Sequence, residues 1–157
     1  MVVVDSSVII HFARSGKLEL LEKYFKKIKI TPEIGKEILQ EGKAGEEQIK
    51  KSIGKWIVVK KIEIKRKSDI LSNADMELIA LAGKEKDFIL TNDNEIVSFA
   101  SAAKIETMWA TTFLVGCIKK NILTKQQGKK ILYDLIKSGM YLRTDTYAEI
   151  TRQIESL

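Results

Sequence analysis

The chain has 157 residues, 45% of them hydrophobic and 31% charged, with a net charge of +6, one proline and one cysteine. That length suits a single domain (1–157) with a core of its own, and one cysteine excludes both an intrachain disulfide framework and a cysteine-based zinc cluster. No apolar run approaches the roughly 20 residues of a membrane span, and no basic leader precedes the first strand-like residues, so a cytoplasmic protein without a membrane partner is expected.

Val2–Val4 is a short unalternating apolar run, which predicts a strand buried on both faces of a parallel sheet. It ends at Asp5, the position where open α/β sheets place their ligands, although Asp and Ser are also good helix caps. Short helices are expected over Ser7–Ala13 and Leu18–Phe25, broken near Gly16. His11 is the one histidine, and no second imidazole exists to share a metal with it. Ile28–Thr31 predicts a second strand, and Thr31-Pro32 opens a helix with proline where its missing N–H costs nothing. Ile34 and Ile38 mark the packed face of that helix, widened by Leu39, and Gly42 is expected to end it. Glu37 lies beside this face, whereas Glu33 in the first turn is explained by the helix dipole.

A solvated helix over 44–53 and a third strand over Trp56–Val59 come next. Lys60–Lys67 then carries Lys60, Lys61, Lys65, Arg66 and Lys67, interrupted by Glu63. It reads either as a solvated connection or as a rim that contacts phosphates. Ser72 or Asn73 caps a helix expected to reach Ala82 and end at Gly83, with Asp75 in its first turn. Phe88–Leu90 predicts a fourth strand running into Thr91-Asn92-Asp93, so a second strand delivers a carboxylate at its carboxyl end. A helix over 95–103 and a fifth strand over Thr107–Trp109 complete an α/β core (1–110) with a mostly parallel sheet of four or five strands and helices on both faces. Helices over 111–120, 126–137 (after a Thr124 cap) and 145–155 form the C-terminal part, 111–157. Cys117, in TTFLVGCI, reads as a small buried hydrophobe, and scarce cysteine fits a reducing, intracellular compartment.

Asp5, Glu37, Asp75 and Asp93 all fall at strand ends or helix starts that could share one crevice. Two carboxylates about 4 Å apart repel by roughly 4 kcal/mol at an effective dielectric of 20, and neither Asp5 nor Asp93 has a basic neighbour in sequence. A hard divalent cation resolves the repulsion. An all-oxygen set favours Mg²⁺ or Mn²⁺ over zinc, and such ions support phosphodiester hydrolysis. The surrounding lysines would attract the nucleic acid that naked acids repel.

The ordered set of Asp5 in VVVDSSVII, Glu37 in TPEIGKEIL, Asp75 in ADMELIALA and Asp93 in ILTNDNEI resembles the PIN domain, and the C-terminal helices are similar to those of its small prokaryotic, VapC-like subgroup. The resemblance implies a three-layer α/β/α nuclease with an acidic Mg²⁺ or Mn²⁺ site. It also implies endoribonuclease activity on RNA, often as the toxin of a VapBC-like toxin–antitoxin pair, with an antitoxin protein near the acidic groove and a homodimer as a common assembly. Carried onto this chain, it has Asp5, Asp75 and Asp93 bind the metal and Glu37 bind it or orient the water. Ser6, Ser7 and Thr91 occupy supporting positions, as does Asn92, with Glu95 close by. Two other functions compete: a catalytically silent PIN-like module that binds RNA or protein, and a PIN-like nuclease acting on DNA.

Overall fold

The computed structural model describes all residues, 1–157. Five short strands, β1 (Val2–Val4), β2 (Ile28–Ile30), β3 (Ile57–Val59), β4 (Phe88–Thr91) and β5 (Thr107–Trp109), form one sheet in the order β3-β2-β1-β4-β5. Every pairing is parallel, with Val4 beside Leu90 at the centre and Ile30 beside Val59 toward one edge. The chain thus winds outward from β1 to β3 and returns across the sheet to β4, so the order reverses between β1 and β4. Val2, Val3 and Val4 are completely buried, as a central strand covered on both faces requires.

Two helical layers do the covering. Helices α1 (Ser6–Arg14) and α2 (Glu19–Phe25) meet α7 (Ala110–Lys119) through Phe113, whose ring contacts Phe12, Tyr24 and Phe25. α3 (Pro32–Ile38) and α4 (Glu46–Ser52) pack beside α1. On the other face α5 (Asn73–Glu85) packs on β1 and β4 and against α6 (Asn94–Ala102), which rests on β5. α8 (Lys125–Lys137) and α9 (Thr144–Glu155) extend the α7 side. The result is a three-layer α/β/α arrangement. No helix is long and apolar enough to cross a membrane.

Two helix ends differ from expectation. α3 stops at Ile38 rather than at Gly42, because Leu39 points outward (38% exposed) and adds no apolar contact to carry another turn. α5 runs through Gly83 to Glu85 and stops at Lys86, which takes the left-handed conformation (φ 57°). The extra turn brings Glu85 into an ion pair with Lys29, a strand lysine only 9% exposed that also reaches Asp87 at 2.6 Å. Gly83 does not break the helix. A Cβ there would meet Ile105 Cδ1 at 3.4 Å, an ordinary contact, so neither conformation nor packing requires a glycine at this place.

Candidate active site

The reversal of strand order brings Asp5 and the end of β4 side by side. The Asp5 N–H donates to the Leu90 carbonyl at 3.0 Å, which continues the β1–β4 ladder to the carboxyl edge of the sheet. There the backbone turns into α1, and the Asp5 side chain remains 5% exposed. Three hydroxyls address it: Thr91 Oγ1 donates to Oδ2 at 2.8 Å, Ser7 Oγ to the same oxygen at 3.2 Å, and Ser6 Oγ lies 3.5 Å from Oδ1. Although Asp5 is the N-cap residue of α1, its side chain makes no capping bond. Oδ1, with only Ser6 Oγ at 3.5 Å, is its less engaged oxygen.

Thr91 links two acids. Its Oγ1 donates to Asp5 and accepts the Asp93 N–H at 3.1 Å. Asp93 caps α6, taking the Glu95 N–H on Oδ1 at 2.8 Å, and is exposed. Asp75 sits in the first turn of α5, held by its N–H bond to Ser72 Oγ (3.1 Å). Glu37 arrives from the last turn of α3. Ser6 Oγ donates to Glu37 Oε2 at 2.5 Å, joining this acid to the Asp5 corner. The other oxygen, Oε1, has no hydrogen-bond partner in the protein.

The electrostatics follow from this crowding. Burial pushes the Asp5 carboxyl up to about 6; the Thr91 and Ser7 hydroxyls work against that rise, and the charges of Asp75 and Asp93 add to it. Burial also raises Asp75, opposed by its bonds to Ser72 and reinforced by Asp93. None of Asp5, Glu37, Asp75 and Asp93 forms an ion pair with a lysine or arginine. Acids left without cationic partners while one of them is buried make a donor set that suits a hard divalent ion. As the side chains stand, no three acidic, histidine or cysteine groups converge closely enough to chelate an ion unaided. Mg²⁺ tolerates such a sparse set, since it keeps several waters and takes one or two carboxylates.

Ser6, Ser7 and Thr91 all bond to this corner. Asn92 turns away: its amide donates to the Tyr141 carbonyl at 3.1 Å, tying the α8–α9 connection to the end of β4. Glu33 is paired with Lys36 at 2.8 Å. His11 Nδ1 packs against Ser138 Oγ at 3.0 Å, and Cys117 is fully buried, its thiol pushed up to about 12 by that burial. Three neighbours were not singled out from the sequence. Glu77 accepts the Glu33 N–H at 3.2 Å and so joins α5 to the start of α3. Arg14 and Lys43 line a small recess with Glu37, and Arg14 in the last turn of α1 looks in sequence like a residue placed for the helix dipole.

A family model described as a PIN domain matches residues 1–156. Among curated proteins none matches the sequence. Among solved structures, the chain is similar to a PilT N-terminus domain protein from the hyperthermophilic archaeon Sulfolobus solfataricus P2, with a TM-score of 0.52 and 14% identity over 91% of this chain and 98% of that one. At that identity the likeness speaks for the fold, which has the same three layers. With a family match over nearly its whole length and an acid-bearing carboxyl edge where β1 meets β4, the chain belongs to the PIN-domain family.

Proposed function

We propose that this chain is a Mg²⁺- or Mn²⁺-dependent endoribonuclease. PIN domains are generally nucleases, and the observation that supports the finer reading is Asp5. This carboxylate is buried, neighboured by two further aspartates and left without any cationic partner. Asp5, Asp75 and Asp93 are the residues that would hold the ion, one or two of them directly as the side chains stand and the rest through its waters; when bound it would polarise a phosphodiester and lower the pKa of a water.

The chain's own groups have distinct tasks in this reading. Thr91 and Ser7 fix Asp5 through Oδ2, which leaves Oδ1 the freer oxygen. Ser6 holds Glu37 by Oε2, so Oε1 is available to accept a proton from an attacking water. Thr91 ties the backbone of Asp93 to the same hydroxyl, and the two acids keep their spacing. Supporting partners of this kind typically matter about 10–100-fold in metal affinity or activity.

The test is Asp5→Asn. Metal-dependent cleavage of single-stranded RNA should fall by more than about 100-fold, beyond the range expected for a supporting residue, with the circular dichroism spectrum unchanged. Undiminished cleavage would refute the assignment, and RNA affinity in EDTA with no hydrolysis by the unmodified chain would favour a silent binding module. Matched DNA and RNA oligonucleotides with Mn²⁺ separate a DNA nuclease from an RNA one. The reading extends to the toxin of a VapBC-like pair, its antitoxin docking near the acidic groove, on the strength of the family and the resemblance of the C-terminal helices. Expression of the chain should then arrest growth, and the Asp5→Asn chain should not.

A further inference from the structure

The basic excess of this protein is concentrated in one place. Residues 60–67 hold five cations against Glu63, a net four of the chain's +6 charges, so the rest of the molecule is close to balanced. The segment belongs to the connection between β3 and α5, residues 60–72, which has no helix or strand of its own. Connections of that length inside a compact domain are uncommon and tend to carry function.

The connection is also anchored. It leaves the carboxyl edge of the sheet with the Lys60 N–H bonded to the Ile30 carbonyl at 2.8 Å, and it ends at Ser72, whose hydroxyl accepts the N–H of Asp75. Ile62 and Ile64 are half-buried, Ile62 against the main core, while Lys60, Lys61, Lys65, Arg66 and Lys67 stay in solvent. Beside it runs an open groove of about 690 Å³ lined by Pro32, Lys61, Ile62, Glu63, Lys65 and, from the last turn of α5, Lys84. Elsewhere on the surface lysines such as Lys36, Lys50, Lys129 and Lys130 pair with carboxylates. The five cations of the segment and Lys84 make no such pair, as is true of most of the chain's lysines and arginines, so what sets the segment apart is the density of its charge.

We propose that the 60–67 segment and Lys84 form a binding track for the phosphodiester backbone of a single-stranded nucleic acid, whose Lys67 end shares a hollow with Asn73, two residues before Asp75. Between 60 and 67 both isoleucines are half-buried and all five cations exposed, so the face offered there is mostly ionic, which suits repeated phosphates; the exposed apolar side chains, Val59 and Ile70, lie on its flanks. The track also supplies attraction beside a site whose own acids repel phosphate. That the strand is RNA rests on the nuclease reading above; the track itself requires only a phosphate backbone.

The experiment measures binding of a fluorescent oligouridylate of roughly 20 nucleotides to the full chain in EDTA, across about 50 to 200 mM salt. Lys61→Gln, Lys65→Gln and Lys84→Gln together should flatten the slope of log affinity against log salt by about 2, at roughly 0.7 per lost phosphate contact on a single strand. Each single substitution should remove about a third of that. A control of equal charge loss, Lys119→Gln, Lys125→Gln and Lys130→Gln, should keep the original slope. An unchanged slope in the groove variant, an equal loss in the control, or no binding by the unmodified chain overturns the track. Binding through the groove with no metal-dependent cleavage overturns the nuclease reading and leaves the track standing; cleavage with an unaffected slope does the reverse.

Discussion

Asp5 is charged against the preference of its surroundings, and that has a measurable sign. Its carboxyl is raised from 3.8 to about 6 in the folded, metal-free protein, chiefly by burial. Between those values the native state binds the proton more tightly than the unfolded chain, so stability falls as pH rises through 6. Ionising this one group costs roughly 3 kcal/mol. Asp5→Asn should therefore stabilise the metal-free protein above about pH 7, and the gain should vanish near about pH 4, as urea denaturation in EDTA would show. A bound divalent ion offsets the same cost, so Mn²⁺ affinity should weaken about tenfold for each pH unit below 6 and level off above it. Thr91→Val removes the hydroxyl that serves both Asp5 and Asp93. Calorimetric titration should show Mn²⁺ affinity lower by about 10–100-fold. At this scale the sequence was informative because Asp5, Ser6, Ser7, Thr91 and Asp93 all cluster at two strand ends. Asn92 was not readable in the same way. Its partner, the Tyr141 carbonyl, lies 49 residues away on a connection with no pattern to mark it.

Elements were legible where a local signal coincided with packing. Pro32 after Thr31 marks the start of α3, and Thr31 does accept the Ile34 N–H at 3.3 Å. Thr124 caps α8 in a full capping box with Gln127. The ends of α3 and α5 were harder, since glycine was the one local cue and tertiary contacts decided them. Leu39 finds no cover, whereas Glu85 finds Lys29. Gly45 shows a constraint invisible in sequence: it is left-handed (φ 87°) at the start of α4, and a Cβ would lie 2.7 Å from the Ala13 backbone. Both conformation and space forbid a side chain where α4 meets the end of α1. Gly45→Ala should destabilise the protein by more than about 1 kcal/mol in urea denaturation.

Across the whole molecule, opposite charges are gathered at places far apart in sequence. Lys29 sits in β2 among the carboxylates of Glu85 and Asp87, joining the second strand to the α5–β4 turn. Lys29→Ala would take one of two cations from Asp87, which is 7% exposed at its side chain and keeps the Met1 ammonium at 3.0 Å, and unfolding should become easier by about 1–3 kcal/mol. That ion pair, like the order of the strands, could not be read from periodicity. Alternating elements predict a parallel sheet, but nothing local says that β4 returns to lie beside β1.

That return has a consequence for a protein being made. Thr91 reaches back across 86 positions to steady Asp5, so the two halves of the corner are translated far apart in time. Until the fourth strand has left the ribosome and slotted in next to the first, Asp5 lacks both the Thr91 hydroxyl and its neighbour Asp93. Any chemistry that needs both sides of this corner is therefore out of reach until the chain has been made past β4.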